Sequence, residues 1–82
     1  MAVGIIRYWA GARAAAGVGE EPFDAPTLGA VLDRAAAAHG PELERVFRVA
    51  SFLVGGLRTS RETELADGDE VEVLPPFAGG SH

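Results

Sequence analysis

Two predicted strands near the ends of the chain differ in their pattern of apolar residues. Residues 3–9 are rich in β-branched and aromatic side chains and are apolar on both faces, which is typical of a central strand. Glu70–Leu74 alternates instead, with Val71 and Val73 on one face and the residues around them on the other. The last strand therefore presents two different faces.

The middle of the chain predicts one helix. Thr27 occupies the N-cap position, and apolar residues then recur at helical spacing on one face. This face consists of Leu28, Val31, Leu32, Ala35, Ala36 and His39. The Gly-Pro pair at 40–41 ends the helix. Leu43, Val46 and Phe47 indicate one further helical turn.

Shorter elements complete the pattern. Residues 20–24 predict a second strand that stops at Pro26, and the alanine-rich stretch 11–17 predicts a short turn or helical loop. Ser51–Val54 is a strand, and a Gly-Gly turn leads from it into residues 57–58, which is a hairpin signal. The order strand, strand, helix, strand, strand, strand predicts an α+β fold with one main helix across one face of a mixed sheet of four to five strands. It fits the β-grasp fold of ubiquitin and its relatives, whereas ferredoxin-like folds normally need two full helices.

Composition narrows the class of protein. The 82 residues suffice for one small domain, and 48% hydrophobic residues supply its core. A net charge of −5 argues against nucleic acid, because phosphate recognition needs a basic face. No apolar run is long enough to span a membrane and no secretory signal precedes the first strand, so we expect a cytoplasmic location. The sequence contains neither cysteine nor lysine, hence no thiolate and no side-chain amine.

Charge is unevenly distributed in the second half. Four arginines lie between residues 45 and 61, and six carboxylates follow between residues 62 and 72. We interpret most of them as a solvated surface, with turn roles for Asp67 and Asp69. The alternative interpretation of the acidic stretch is a recognition surface for a basic partner.

The C-terminal segment is the main candidate for function. Pro75 and Pro76 fix φ and remove two backbone donors, so the chain leaves the sheet in an extended path. The Gly79-Gly80 pair has no side chains that would clash in a narrow channel. Such a terminus suits insertion into another protein's active site, whereas the competing interpretation is a disordered end. We predict a domain over residues 1–74 and a flexible tail over residues 75–82.

Three segments carry a resemblance to a known family. Residues 65–80 resemble the C-terminal signature of the MoaD/ThiS-type sulfur carriers, in which a DGDEV turn and strand run into a PP-x-x-GG tail. Residues 7–13 resemble the opening of the same family, where alanine and arginine follow an aromatic strand, and residues 27–32 resemble its helix start. The opening is more similar to the molybdopterin synthase small subunit than to the thiamine-pathway carrier.

The resemblance implies a carrier rather than an enzyme. An adenylyltransferase similar to a ubiquitin-activating enzyme would use ATP to turn the Gly80 carboxylate into an acyl-adenylate, and sulfide or a persulfide would displace AMP to leave a thiocarboxylate. The chain itself would bind no cofactor and no metal. A sulfur-accepting synthase subunit or enzyme would then accept the sulfur. Molybdopterin synthesis is the pathway that the resemblance favours, and the alternatives are the synthesis of cysteine, thiamine or natural products.

Other residues are candidates for docking. The stem that would enter the partner consists of Pro75, Pro76, Phe77 and Ala78. We interpret Phe77 as an interface anchor, and the alternative is that it folds back onto the domain. Trp9 and Leu57 are further docking candidates, although we expect core packing for both. Arg13 matches a family position and is either a partner contact or a solvated loop arginine.

The last two residues depart from the family pattern, because active carriers end at the second glycine. Ser81 and His82 are either a native extension that a protease removes or the remnant of an expression tag. Two other functions also compete with the carrier. A protein modifier would join Gly80 to a lysine of another protein, and a noncatalytic binding module would keep its function without the residues after Pro76.

Overall fold

The chain alternates strands and helices around one sheet, and the computed structural model describes residues 2–76. The elements in chain order are β1 (Ala2–Tyr8), α1 (Ala10–Ala16), β2 (Glu20–Ala25), α2 (Leu28–His39), α3 (Pro41–Val49), β3 (Ser51–Val54), β4 (Leu57–Arg58) and β5 (Glu70–Leu74). No helix within residues 2–76 is both long and apolar enough to cross a membrane.

The sheet has five strands in the order β2-β1-β5-β3-β4. β1 runs parallel to β5 and antiparallel to β2, and β3 runs antiparallel to both β5 and β4. The last strand in the sequence therefore lies in the middle of the sheet. This mixed sheet with helices confirms the predicted α+β, β-grasp architecture, although the described residues contain three helices rather than one main helix.

The main helix α2 forms where its cap and apolar spacing predict it. The Thr27 hydroxyl oxygen accepts a hydrogen bond from the Ala30 N–H (3.2 Å), which satisfies one of the donors that the first helical turn leaves free. The fully buried face consists of Leu28, Val31, Leu32 and Ala35. At the other end, Gly40 adopts a φ of 105° and directs the chain into α3.

Two segments are more helical than we predicted. The single turn expected around Leu43 and Phe47 is the nine-residue helix α3, which begins at Pro41, where a missing N–H costs nothing. Glu42 lies in its first turn, where a carboxylate complements the helix dipole. The predicted turn or loop at 11–17 is the helix α1, and alanine is the best helix former.

Two tight turns lie near the start of β5. Gly55 (φ 58°) and Gly56 (φ 82°) form the predicted two-residue hairpin between β3 and β4. Ahead of β5, the Asp67 carboxylate accepts from the Val3 N–H (3.0 Å), and the Asp69 carboxylate accepts from the Ala66 N–H (2.8 Å). These contacts confirm turn roles for the two aspartates and join the start of β1 to the start of β5.

The core lies between the helices and one face of the sheet. Val71 and Val73 are fully buried, which confirms the predicted alternation of β5. β1 contributes Ile6 and Tyr8 to the same face, each with 1% of its surface exposed. The three helices of residues 2–76 all contribute to this core, and we call the opposite face of the sheet the open face.

Candidate functional site

The tail begins where the central strand ends. Leu74 is the last residue of β5 and pairs with Ser51 of β3. Pro75 is partly buried and Pro76 is exposed, so the chain emerges from the surface of the domain at this point. The remaining predicted site residues, Phe77, Ala78, Gly79 and Gly80, lie outside the described residues, as do Ser81 and His82.

Trp9 lies beside the base of the tail. β1 pairs in parallel with β5 through Tyr8 and Val73, and the Trp9 N–H donates to the Val73 carbonyl oxygen (3.3 Å). The Trp9 residue is 46% exposed, so the expectation that it packs in the core was wrong. The reason is position, because Trp9 follows the last paired residue of β1 and is the cap residue that precedes helix α1.

A second exposed apolar residue near the tail was not predicted. Val49 is 64% exposed at the end of α3, two residues before Ser51, which is the partner of Leu74. The sequence does contain a signal for this exposure, because Val49 lies outside the i, i+3, i+4 face that Leu43 and Phe47 define. Trp9 and Val49 thus provide apolar surface beside the two strands that hold the tail strand in place.

Leu57 lies elsewhere. It pairs with Val54, whose partner on β5 is Val71, so Leu57 is at the opposite end of β3 from the Ser51–Leu74 pair. It is 75% exposed, and the expected core packing was wrong here too. The Leu57 side chain lies on the same face of the sheet as Val54 and Val71, but β4 is an edge strand, and the helices of the described residues leave this side chain exposed. The structure therefore does not bring Leu57 together with Trp9.

Arg13 lies on α1 rather than in a loop. Its side chain and Trp9 line the same surface depression, together with Gly19 and Glu20. None of the salt bridges formed within residues 2–76 involves Arg13. The structure therefore places this guanidinium near the tail base, where a partner can reach it.

A polar cluster supports the end of β1. The Tyr8 hydroxyl donates to Glu21 Oε2 (2.5 Å), and His39 Nε2 lies 2.7 Å from the same oxygen. The Tyr8 and His39 rings meet edge to face, with centroids 6.1 Å apart. Burial raises the pKa of the Tyr8 hydroxyl far above its ordinary value, and the bond to Glu21 raises it further. The cluster joins β1, β2 and the end of α2 immediately before Trp9.

The open face carries its own ion pairs. Arg7 Nε donates to Glu20 Oε1 (3.1 Å), and Arg7 Nη1 donates to Glu70 Oε1. The hydrogen bonds that Arg7 donates to Glu20, and then to Glu70, raise the pKa of its guanidinium. Within residues 2–76, no group of three or more histidine, cysteine, aspartate or glutamate residues could hold a metal ion. The described site is therefore an apolar and charged surface around the start of the tail.

Comparisons with known proteins agree with this geometry. The model of the ThiS family matches residues 6–80. The molybdopterin synthase sulfur carrier subunit of Chlamydomonas reinhardtii is 35% identical over 80 residues, which cover 92% of this chain and 95% of the relative.

Two solved structures share the fold over nearly the whole chain. The crystal structure of SAMP1 from Haloferax volcanii has a TM-score of 0.84 and 29% identity, and the match covers 95% of this chain and 99% of that one. The solution structure of the small archaeal modifier protein 1 (SAMP1) from Methanosarcina acetivorans has a TM-score of 0.87 and 28% identity, with 98% of each chain covered. The family match extends from β1 through the glycine pair, so it includes both the domain and the tail. The chain belongs to the ThiS family and is a ubiquitin-like sulfur carrier of the MoaD/ThiS type rather than an enzyme.

Proposed function

We propose that the Gly80 carboxylate, once exposed, is adenylated by a partner enzyme and converted to a thiocarboxylate that donates sulfur in molybdopterin synthesis. The observation that supports this most is the family match through residue 80, on a chain whose tail leaves directly from the central strand β5. β5 is held on one side by β1 and on the other by β3. A rigid base of this kind fixes where the tail starts, so that a partner can locate its end.

The chemistry makes few demands on the carrier. A carboxylate oxygen of Gly80 attacks the α-phosphorus of ATP, and pyrophosphate leaves. Sulfide then attacks the acyl carbon of the mixed anhydride, and AMP leaves with the bonding electrons of the carbon–oxygen bond. The absence of cysteine and lysine agrees with this scheme, because no thiol or side-chain amine of the carrier competes for the activated carbonyl.

The peptide bond between Gly80 and Ser81 must be hydrolysed first in the 82-residue chain. The carboxylate that reacts does not exist while Ser81 and His82 are attached. A trimming protease is therefore part of the proposal wherever these two residues are native. Trimming requires an accessible tail, and the exposure of Pro76 agrees with that requirement.

Molybdopterin is the favoured destination because the Chlamydomonas relative is a molybdopterin synthase sulfur carrier subunit, and it matches over 92% of this chain. A sulfur carrier subunit works beside another subunit of its synthase. We therefore propose two partners, the adenylyltransferase and a sulfur-accepting synthase subunit. Both would approach the end of the sheet where Trp9, Val49 and Pro76 are exposed.

The test is the intact mass of a chain that ends at Gly80, after incubation with the adenylyltransferase, ATP and sulfide. We expect the mass gain that corresponds to replacement of one oxygen by sulfur. The 82-residue chain is the matched control, and we expect no gain for it because Ser81 and His82 block the carboxylate. An unchanged mass for the trimmed chain, with an enzyme proven active on another carrier, would contradict the proposal.

A second function is favoured by the likeness to the small archaeal modifier proteins, at 28–29% identity. In a protein modifier, the amine of a lysine on another protein attacks the activated Gly80 carbonyl, AMP leaves and an isopeptide bond forms. Mass spectrometry of cells that express the trimmed chain distinguishes the two functions. Peptides with a lysine joined to Gly80 support the modifier, and a free thiocarboxylate without such peptides supports the carrier.

A further inference from the structure

One row of side chains crosses the open face of the sheet at the same level on all five strands. The strand registers place Glu20 beside Arg7, Arg7 beside Glu72, Glu72 beside Leu53, and Leu53 beside Arg58. Residues directly opposite each other on paired strands have the same facing. The buried Val71 and Val73 on either side of Glu72 show that the row faces away from the core.

Arg7 is neutralised within the protein. Its guanidinium donates to the carboxylates of Glu20 and Glu70, on either side, and the side chain is only 33% exposed. Glu72 is also a neighbour of Arg7 on the adjacent strand, yet none of the salt bridges formed within residues 2–76 includes Glu72. Glu72 is partly buried, and its carboxylate has no ion-pair partner within the described residues.

Arg58 lies at the β4 end of the row and carries the opposite charge to Glu72. Its Nη2 donates to the Ser51 hydroxyl (2.8 Å), which is a neutral partner, and Arg58 joins none of the salt bridges within the described residues. The contact turns Arg58 toward the Ser51–Leu74 pair at the tail base. Leu53 lies between the two charges, and two strand spacings separate Glu72 from Arg58 by about 10 Å.

We infer that Glu72, Leu53 and Arg58 form a recognition row for the adenylyltransferase, which presents a basic side chain opposite Glu72, an apolar contact on Leu53 and an acidic side chain opposite Arg58. The inference rests on the proposed function. Glu72 lies on the strand that becomes the tail, and Leu74 shares its face, so an enzyme that takes the tail covers this part of the open face. Complementary charges then set orientation and partner choice.

The row discriminates because its two charges have opposite signs and lie on strands whose register is fixed. A partner with the reversed arrangement places like charges together at both positions. A partner with an uncharged surface leaves the Glu72 carboxylate desolvated and without a hydrogen bond, which is unfavourable. The carrier therefore selects against the wrong partner through repulsion as well as attraction.

The test exchanges the two charges in a chain that ends at Gly80. The double variant Glu72→Arg with Arg58→Glu keeps the net charge, so long-range attraction to the enzyme is unchanged. The measurement is carrier-dependent ATP–pyrophosphate exchange by the same adenylyltransferase that is used in the intact-mass test. We expect KM for the carrier to rise about ten-fold or more, with kcat nearly unchanged, because the row contributes to docking and not to chemistry.

Two further comparisons make the result specific. The matched control exchanges an exposed pair on α3, Glu42→Arg with Arg45→Glu, and we expect wild-type kinetics from it. The neutral variants Glu72→Gln and Arg58→Gln avoid placing two arginines side by side, so they remain informative if the double variant folds poorly. Each is expected to raise KM about three- to five-fold and to weaken its dependence on salt.

The outcomes separate the inference from the function it rests on. A folded double variant, or neutral variants, with wild-type KM at both low and high salt would overturn the recognition row while leaving the carrier proposal intact. A wild-type chain ending at Gly80 that supports no exchange, with an enzyme active on another carrier, would overturn both. Restoration of KM in the double variant by the reciprocal charge exchange on the enzyme would support the row directly.

Discussion

Tyr8 and His39 share one carboxylate oxygen of Glu21, with Tyr8 Oη at 2.5 Å and His39 Nε2 at 2.7 Å. The contact joins the end of β1 to the end of α2, although the two residues are 31 positions apart in the sequence. Trp9 follows Tyr8 directly, so the cluster anchors the chain immediately before the exposed indole.

Removing the Tyr8 hydroxyl should destabilise the domain. Tyr8→Phe keeps the ring in the core but deletes the donor to a charged acceptor, so we expect the free energy of unfolding to fall by about 1–2 kcal/mol. Urea denaturation measures the change. His39→Gln tests the second contact to Glu21, and we expect it to lower the free energy of unfolding by less than Tyr8→Phe does. An unchanged urea midpoint for Tyr8→Phe would show that the bond contributes nothing.

The same hydroxyl should make stability depend on alkaline pH. The pKa of Tyr8 is raised in the folded state, whereas in the unfolded chain it is about 10. As the pH rises, the unfolded chain therefore loses the tyrosine proton before the folded protein does. The stabilisation that the Tyr8 hydroxyl contributes is complete below pH ~10. Above that pH the free energy of unfolding falls by up to about 1.4 kcal/mol per pH unit. Without cysteine or lysine, no other side chain of this sequence has an ordinary pKa between about 8 and 11.

Urea denaturation of the wild type and Tyr8→Phe across this pH range checks the expectation. The wild type should lose stability above pH ~10, and the variant should lose much less. Tyr8 is the sole tyrosine, so the ultraviolet absorbance of tyrosinate reports its ionisation directly. Tyrosinate that forms in the folded protein at pH ~10 would contradict the raised pKa.

Gly4 should tolerate no side chain. A Cβ at this position would overlap the Asp69 carbonyl oxygen and lie 2.7 Å from the Phe23 ring. We expect Gly4→Ala to destabilise the domain by about 1–3 kcal/mol, because β1 must move away from the turn that starts β5. Gly11→Ala is the matched control, since a Cβ there meets nothing within 4 Å and alanine favours helix α1 by up to about 1 kcal/mol. Thermal unfolding of both variants provides the comparison.

Trp9 should matter for docking and little for folding. The residue is 46% exposed beside the tail base, so we expect Trp9→Ala to change the free energy of unfolding by less than about 1 kcal/mol. We expect its affinity for the adenylyltransferase to fall about ten-fold or more, because tryptophan is a frequent hot spot in interfaces. Titration calorimetry measures the affinity. Leu57→Ala, at a 75% exposed site away from the tail base, is the control and should change neither quantity.

The elements that sequence predicts well are those with a local cause. The Thr27 cap and one row of apolar residues at helical spacing predict helix α2, and both signals lie within the helix and the residue before it. The facing of β5 follows from the alternation around Val71 and Val73. The hairpin follows from two adjacent glycines, whose positive φ values any tight turn of this type requires.

The features that were mispredicted depend on strand order. Trp9 and Leu57 are apolar, and only their places at the end of β1 and on the edge strand β4 leave them exposed. The recognition row depends on two strand registers at once, that of β5 with β3 and that of β3 with β4, so Glu72 and Arg58 have no local sequence signal that relates them. Helix α3 was underestimated because its apolar positions are few, while Pro41 and Glu42 supply the helix-starting signals.

The central position of β5 has a consequence for how the protein is made. Within residues 2–76, β1 and β3 have no direct pairing, and the strand that joins them is the last of the five strands to be synthesised. A nascent chain that stops before residue 70 therefore cannot close its sheet. The domain completes its fold only when the strand from which the tail leaves has been synthesised.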